Sequence, residues 1–113
     1  MWPQVVGLLK AAHFGPTVLV VSITFVLALT QFSIGDAAFI ALAFLLGQLV
    51  VGWTNDLLDF PRDKAADRFN KPLVAGTISE LTLKICVVIA LVSALIISLV
   101  SPLGISGCAV HFL

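Results

Sequence analysis

Nothing in this chain restricts its fold more than three stretches of nearly continuous apolar residues, at 17–32, 37–54 and 81–100. The first carries no charge. The third carries only Lys84, near enough to its start for the long side chain to reach an interface. Each approaches the roughly 20 residues that cross a bilayer as helix. Backbone groups in lipid have to be satisfied within the segment, so the runs are expected as helices despite their many β-branched residues. The chain has 113 residues, 60% of them hydrophobic and 11% charged, and a mean hydropathy of +1.17. That leaves too little polar surface for a soluble domain of this size. With a formal net charge of zero, it also lacks the basic excess that nucleic acid requires. The expected fold class is an all-α integral membrane helical bundle, a single domain over residues 1–113.

The spans are drawn at about 14–32, 37–54 and 81–100. Lys10 before an apolar run loosely fits a signal peptide, but no A-x-A site follows, and 31–36 reads as a turn into the second span. Lys10 lies before span one, while Arg62, Lys64, Arg68 and Lys71 lie between spans two and three, two crossings later. Both segments therefore belong on one side. The turn at 33–36 and the tail after residue 100 have no Lys or Arg, so the positive-inside rule puts the N-terminus and the charged loop in the cytoplasm of a multi-pass cell-membrane protein. Pro102, Gly104 and Gly107 break the third run, and apolar residues resume at 108–113 as the start of a fourth span. Cys86 and Cys108 read as small buried hydrophobes. Trp2 and Trp53 suit the interface belt, and Ala43 with Gly47 suits close helix packing.

Eight of the twelve charged residues fall within 55–71. Asn55, Asp59 and Asp63 are spaced i, i+4, i+8, which stacks oxygen-bearing groups along one helix face. Such a row repels itself unless a cation sits in it. Hard oxygen ligands suit Mg²⁺, which binds through one or two carboxylates plus substrate phosphates. Asp56 is turned about 100° from Asn55 and is the weaker ligand candidate. Pro61 is expected to kink or end the helix near Asp59, leaving Asp63 to reach the site from a loop or a second short helix. Arg68 and Lys71, three apart, would share a side if helical and hold phosphate oxygens. Asp67 reads as a solvated partner of Lys64 or Lys71. His13, ahead of span one, is either a general base or a packing or capping residue. A generic charged loop serves only topology. Here the acids begin inside an apolar span, where an unpaired carboxylate is expensive. The glycines at 47 and 52 are followed by Trp53 and Thr54, which excludes a phosphate-binding P-loop.

The pattern Asn55-Asp56-x-x-Asp59-x-x-x-Asp63, followed by Arg68-x-x-Lys71-Pro72-Leu73 and Gly76, resembles the first aspartate-rich motif of the UbiA-type membrane prenyltransferase superfamily. The stretch from Leu9 to Thr17 is similar to the entry of that family's first helix. The resemblance covers the chain as the N-terminal part of a family member. It implies a larger nine-helix fold, of which three transmembrane helices and the start of a fourth are present. It further implies a second aspartate-rich motif and the rest of a substrate cavity, neither of which lies within these residues. The chain is then expected to be a fragment, inactive by itself. The implied activity is Mg²⁺-dependent transfer of a prenyl group from a prenyl diphosphate to an aromatic or related hydrophobic acceptor. Asn55, Asp59, Asp63 and Asp56 would hold the metal, Asp59 and Asp63 would be catalytic, and Arg68 and Lys71 would bind the diphosphate. Pro61, and Lys71 where the family often has arginine, are departures. Two other readings are a non-catalytic three-span structural protein and a transferase that moves a sugar phosphate onto a polyprenyl phosphate.

Overall fold

The structure is a computed structural model and describes residues 2–111. Its described residues form six helices and no strand: α1 (Trp2–Ala11), α2 (Phe14–Leu29), α3 (Ile34–Ala65), α4 (Pro72–Ala75), α5 (Glu80–Val100) and α6 (Gly104–Val110). Two helices, α3 and α5, are long and apolar enough to cross a membrane alone. The bent pair α1–α2 adds a third if it is one span. The expected first span corresponds to α2, alone or together with α1. α2 has 16 residues, about 24 Å of rise, short of the roughly 30 Å hydrocarbon core. It meets α1 at 65°. The expected start of a fourth span is the seven-residue α6, and Phe112 and Leu113 lie outside the described residues.

Local chemistry sets the helix ends. Ser33 caps α3 by accepting from the Asp36 N–H at 3.2 Å, and Ser79 caps α5 by accepting from Thr82 N–H at 3.1 Å. Asp36 and Glu80 sit in the first turns, where acids favour the helix dipole. The long helix α3 runs through Pro61 to Ala65, so the expected break near Asp59 does not occur. Its 32 residues rise about 48 Å, well beyond the hydrocarbon thickness. The turns carrying Asp59 to Ala65 extend past the apolar part, and water there can satisfy the Leu57 carbonyl that Pro61 leaves without a donor.

α3 is the central element, with α2 on one side and α5 on the other. The buried positions that face neighbours are mostly small: Ala37, Ala41 and Ala43 on α3, and Ala90 and Ala94 on α5. Small residues let helices approach closely where lipid removes the hydrophobic incentive to associate. The large aliphatic residues face outward instead, among them Leu19, Val26 and Leu27 on α2 and Val88, Ile89 and Ile96 on α5. This inside-out distribution is that of a membrane protein.

α1 closes one end of the bundle. Trp53 is buried there, not placed in an interface belt, and its indole N–H donates to the Leu8 carbonyl at 2.9 Å. Gly52 permits the contact: a Cβ there would lie 2.9 Å from the Ala11 carbonyl oxygen and 3.1 Å from Ala12 backbone atoms. Gly7 plays a similar part where α1 meets the α4 segment: a Cβ there would meet Thr77, Ile78 and Pro72 at 3.3–3.5 Å. The α1–α2 junction, the end of α3 and the α4 segment are thereby brought together.

Candidate functional site

Three chain segments converge at this end of the bundle. On the continuous helix α3, Asn55, Asp59, Asp63 and Asp56 fall in that order across an arc of about 100°. The arc has two edges with different surroundings. Asp56 and Asp63, seven apart, are 3% and 2% exposed. Asn55 is exposed and Asp59 half-buried at the other edge.

Each buried carboxylate is met by a cation from outside α3, Arg68 five residues from Asp63 and Lys71 fifteen from Asp56. The Lys71 ammonium donates to Asp56 Oδ1 at 3.2 Å, and its side chain is only 18% exposed. His13 Nε2 donates to the same oxygen at 3.3 Å. The Arg68 guanidinium donates to Asp63 Oδ1 at 3.3 Å. Asp59 pairs locally with Arg62 at 3.1 Å, on the water side. No buried side-chain polar atom among the described residues lacks a partner.

Backbone turns put the cations there. Residues 66–71 are not helical, so Arg68 and Lys71 do not share a helix side; they reach different carboxylates. Asp67 adopts φ 54, Arg68 N–H donates to the Asp63 carbonyl at 3.0 Å, and Lys71 N–H donates to the Arg68 carbonyl at 3.0 Å. Pro72 then opens α4 and Gly76 ends it at φ 76, each suited to its place. Asp67, expected beside Lys64 or Lys71, makes no ion pair among the described residues; Lys64 lies over the Phe60 ring at 5.9 Å.

His13 enters the site through an unusual backbone. At φ 55 and ψ 64 it is left-handed, which ends α1 and starts α2 in a new direction. Its ring borders a hollow of about 230 Å³ also lined by Pro16, Thr17, Gln48, Gly52 and Asn55. Gln48 was not among the expected site residues. Its signal was present: a lone amide inside an apolar run, seven residues before Asn55 and hence on the same stripe. An adjoining hollow of about 440 Å³ is lined almost wholly by apolar groups of α2 and α3, including Val18, Val21, Leu45 and Leu49.

The donor set can be tested against a Mg²⁺ ion. Among the described residues no three side chains of the His, Cys, Asp and Glu kinds group as an ion site by themselves. An all-protein cage is therefore not built here. Asn55 and Asp59, one turn apart at the open edge, suit an ion held chiefly by water and a substrate's phosphates, whereas Asp63 is 2% exposed and paired with Arg68. The sequence matches no protein-family model, and comparisons with curated proteins and with solved structures return no match.

Proposed function

We propose that this end of the bundle captures the diphosphate of an isoprenoid substrate and supports transfer of its prenyl group to a hydrophobic, aromatic acceptor. The motif resemblance to the UbiA-type superfamily supports this reading. So does one structural observation: two carboxylates held almost out of water beside Lys71 and Arg68. Burying charge costs several kcal/mol per ion, and a packed apolar pair often serves stability as well or better. Such charges are worth keeping where they bind something charged. We place this end in the cytoplasm, where the basic loop belongs.

In this reading Asn55 and Asp59, with Asp63 once Arg68 leaves it, would hold Mg²⁺, and the ion would supply Lewis-acid stabilisation to a departing diphosphate. Arg68 turns from Asp63 to the phosphate oxygens, and Lys71 offers them its remaining N–H groups while still bonded to Asp56. Arg68 is 52% exposed and so is free to swing. Asp56 keeps Lys71 aimed and the backbone turn at 66–71 keeps Arg68 aimed. The apolar hollow between α2 and α3 takes hydrocarbon and excludes water from an allylic cation.

One observation favours a second reading, a non-catalytic membrane protein. Every buried acid is already neutralised by a cation of the same chain, as a purely structural network requires. Asp59→Asn separates the two. The side chain is 42% exposed and its only ion pair among the described residues is the local one to Arg62, so the fold should stand. In the intact protein in lipid nanodiscs, Mg²⁺-dependent consumption of geranylgeranyl diphosphate should fall at least about 100-fold, the order seen when a transition-state charge partner is removed. Unchanged turnover removes Asp59 from the chemistry, and wild-type protein that consumes no prenyl diphosphate favours the structural reading.

A further inference from the structure

The His13 imidazole, bonded to the buried carboxylate of Asp56, has no task in metal or diphosphate binding. It is held with care. A non-glycine residue in the left-handed region costs about 1 kcal/mol or more, and glycine at this position would be free of that cost. The conformation aims the ring at Asp56, forty-three residues away, with Nε2 3.3 Å from Oδ1. Ionised Asp56 only accepts, so in the neutral ring Nε2 carries the hydrogen and Nδ1 keeps its lone pair. A buried carboxylate that fixes tautomer and orientation is the arrangement that prepares a histidine to take a proton on its other nitrogen. The ring remains 45% exposed and borders the hollow that Gln48 and Asn55 line. That hollow, about 230 Å³, exceeds the roughly 150 Å³ in which an engineered cavity holds benzene.

We propose that the hollow beside His13 receives the acceptor's aromatic ring and that His13 is the proton acceptor of the transfer step; this rests on the prenyl-transfer reading. The C–O bond between the allylic carbon and the diphosphate breaks, and its electron pair leaves with the oxygen. A ring carbon of the acceptor forms the new C–C bond with the allylic carbon. The proton on that ring carbon passes to His13 Nδ1, and its bonding pair restores the aromatic ring. Gln48 and Asn55 supply the amide groups that orient polar substituents of the ring.

The test uses the intact protein in nanodiscs with geranylgeranyl diphosphate and a panel of phenolic carboxylic acids. Two variants tolerate the left-handed backbone, His13→Asn and His13→Gly. Both should lower kcat about 100- to 1,000-fold, the range of a lost general base, with KM for the prenyl diphosphate within about twofold of wild type. Added imidazole should restore turnover to His13→Gly, where it fits the space of the missing ring, and should leave His13→Asn unchanged. Wild-type kcat in either variant, or a loss confined to KM, overturns the assignment while leaving the transfer reading intact. Failure of imidazole to restore His13→Gly also overturns it. Wild-type protein that consumes none of the diphosphate overturns both.

Discussion

The charged end of the bundle and the α5–α6 hairpin both bury polar side chains, and they satisfy them by different means. In the hairpin the groups are neutral and their partners lie two to thirteen residues away. Ser101 Oγ donates to the Ser98 carbonyl at 2.7 Å and accepts from Leu103 N–H at 3.2 Å. Ser98 Oγ shares a hydrogen bond of 2.9 Å with His111 Nε2, thirteen residues on, and Cys108 Sγ donates to the Leu95 carbonyl. At the charged end the groups are ions, and their partners come from five, fifteen and forty-three residues away. Neutral local bonds are enough to turn a chain in an apolar setting. Buried ions drawn from three segments exceed what turning the chain requires, and the excess is what points to a ligand.

The strongest way to break this contrast is to strand one of the buried charges. Lys71→Met keeps the aliphatic stem and leaves Asp56, 3% exposed, with only His13 against it. The expected cost is about 3 kcal/mol in an SDS-titrated unfolding equilibrium, the size found when one partner of a buried pair is removed. Adding Asp56→Leu should recover most of the loss, because the desolvated charge is then gone. Recovery marks the pair as kept for something other than stability. A double variant as unstable as the single one would make the network structural and close the gap between the two regions.

Glycines give a smaller and sharper comparison. Gly52 and Gly47 lie five residues apart on α3, and each is closely approached. A Cβ on Gly52 would meet backbone, the Ala11 carbonyl at 2.9 Å, which cannot move without lifting α1. A Cβ on Gly47 would meet the end of a side chain, His111 Nδ1 at 2.6 Å, which can rotate aside. Gly52→Ala should therefore cost about 2 kcal/mol, within the range of overpacking, and Gly47→Ala under about 1 kcal/mol. Gly52→Ala should also speed hydrogen exchange at Trp53 Nε1 as its bond to Leu8 loosens. Equal costs would show that α1 is not anchored through the glycine.

How much of this the sequence discloses depends on how far apart the interacting residues are. The runs at 37–54 and 81–100 became helices because lipid permits little else, and Ser33 and Ser79 mark their starts by local capping. The same local rules failed at Pro61: a helix-breaking tendency of about 3 kcal/mol lost to the continuation of a long helix whose end lies beyond the apolar layer. At Asp56 they are silent about burial. Spacing alone ranks it below Asn55 and Asp59, since only the tertiary approach of Lys71 and the α1–α2 junction tells which edge of the arc is buried. α1 went unforeseen as a separate helix because the break depends on the left-handed backbone of His13, which no neighbouring glycine announces. Trp53 looked like an interface residue because its partner, the Leu8 carbonyl, leaves no mark in a side-chain pattern.

The smallest expected effect belongs to the hairpin. Ser98→Ala removes a neutral hydrogen bond to His111 from a residue that is 2% exposed. A typical bond of this kind contributes about 1 kcal/mol net, and His111, only half-buried, keeps access to other partners and its tilted contact with the Phe44 ring at 5.9 Å. The variant should lose about 1 kcal/mol in the same unfolding titration and no measurable turnover of prenyl diphosphate. A loss as large as that of Lys71→Met would mean that neutral and ionic networks hold this bundle equally. The buried ions would then need no ligand to explain them.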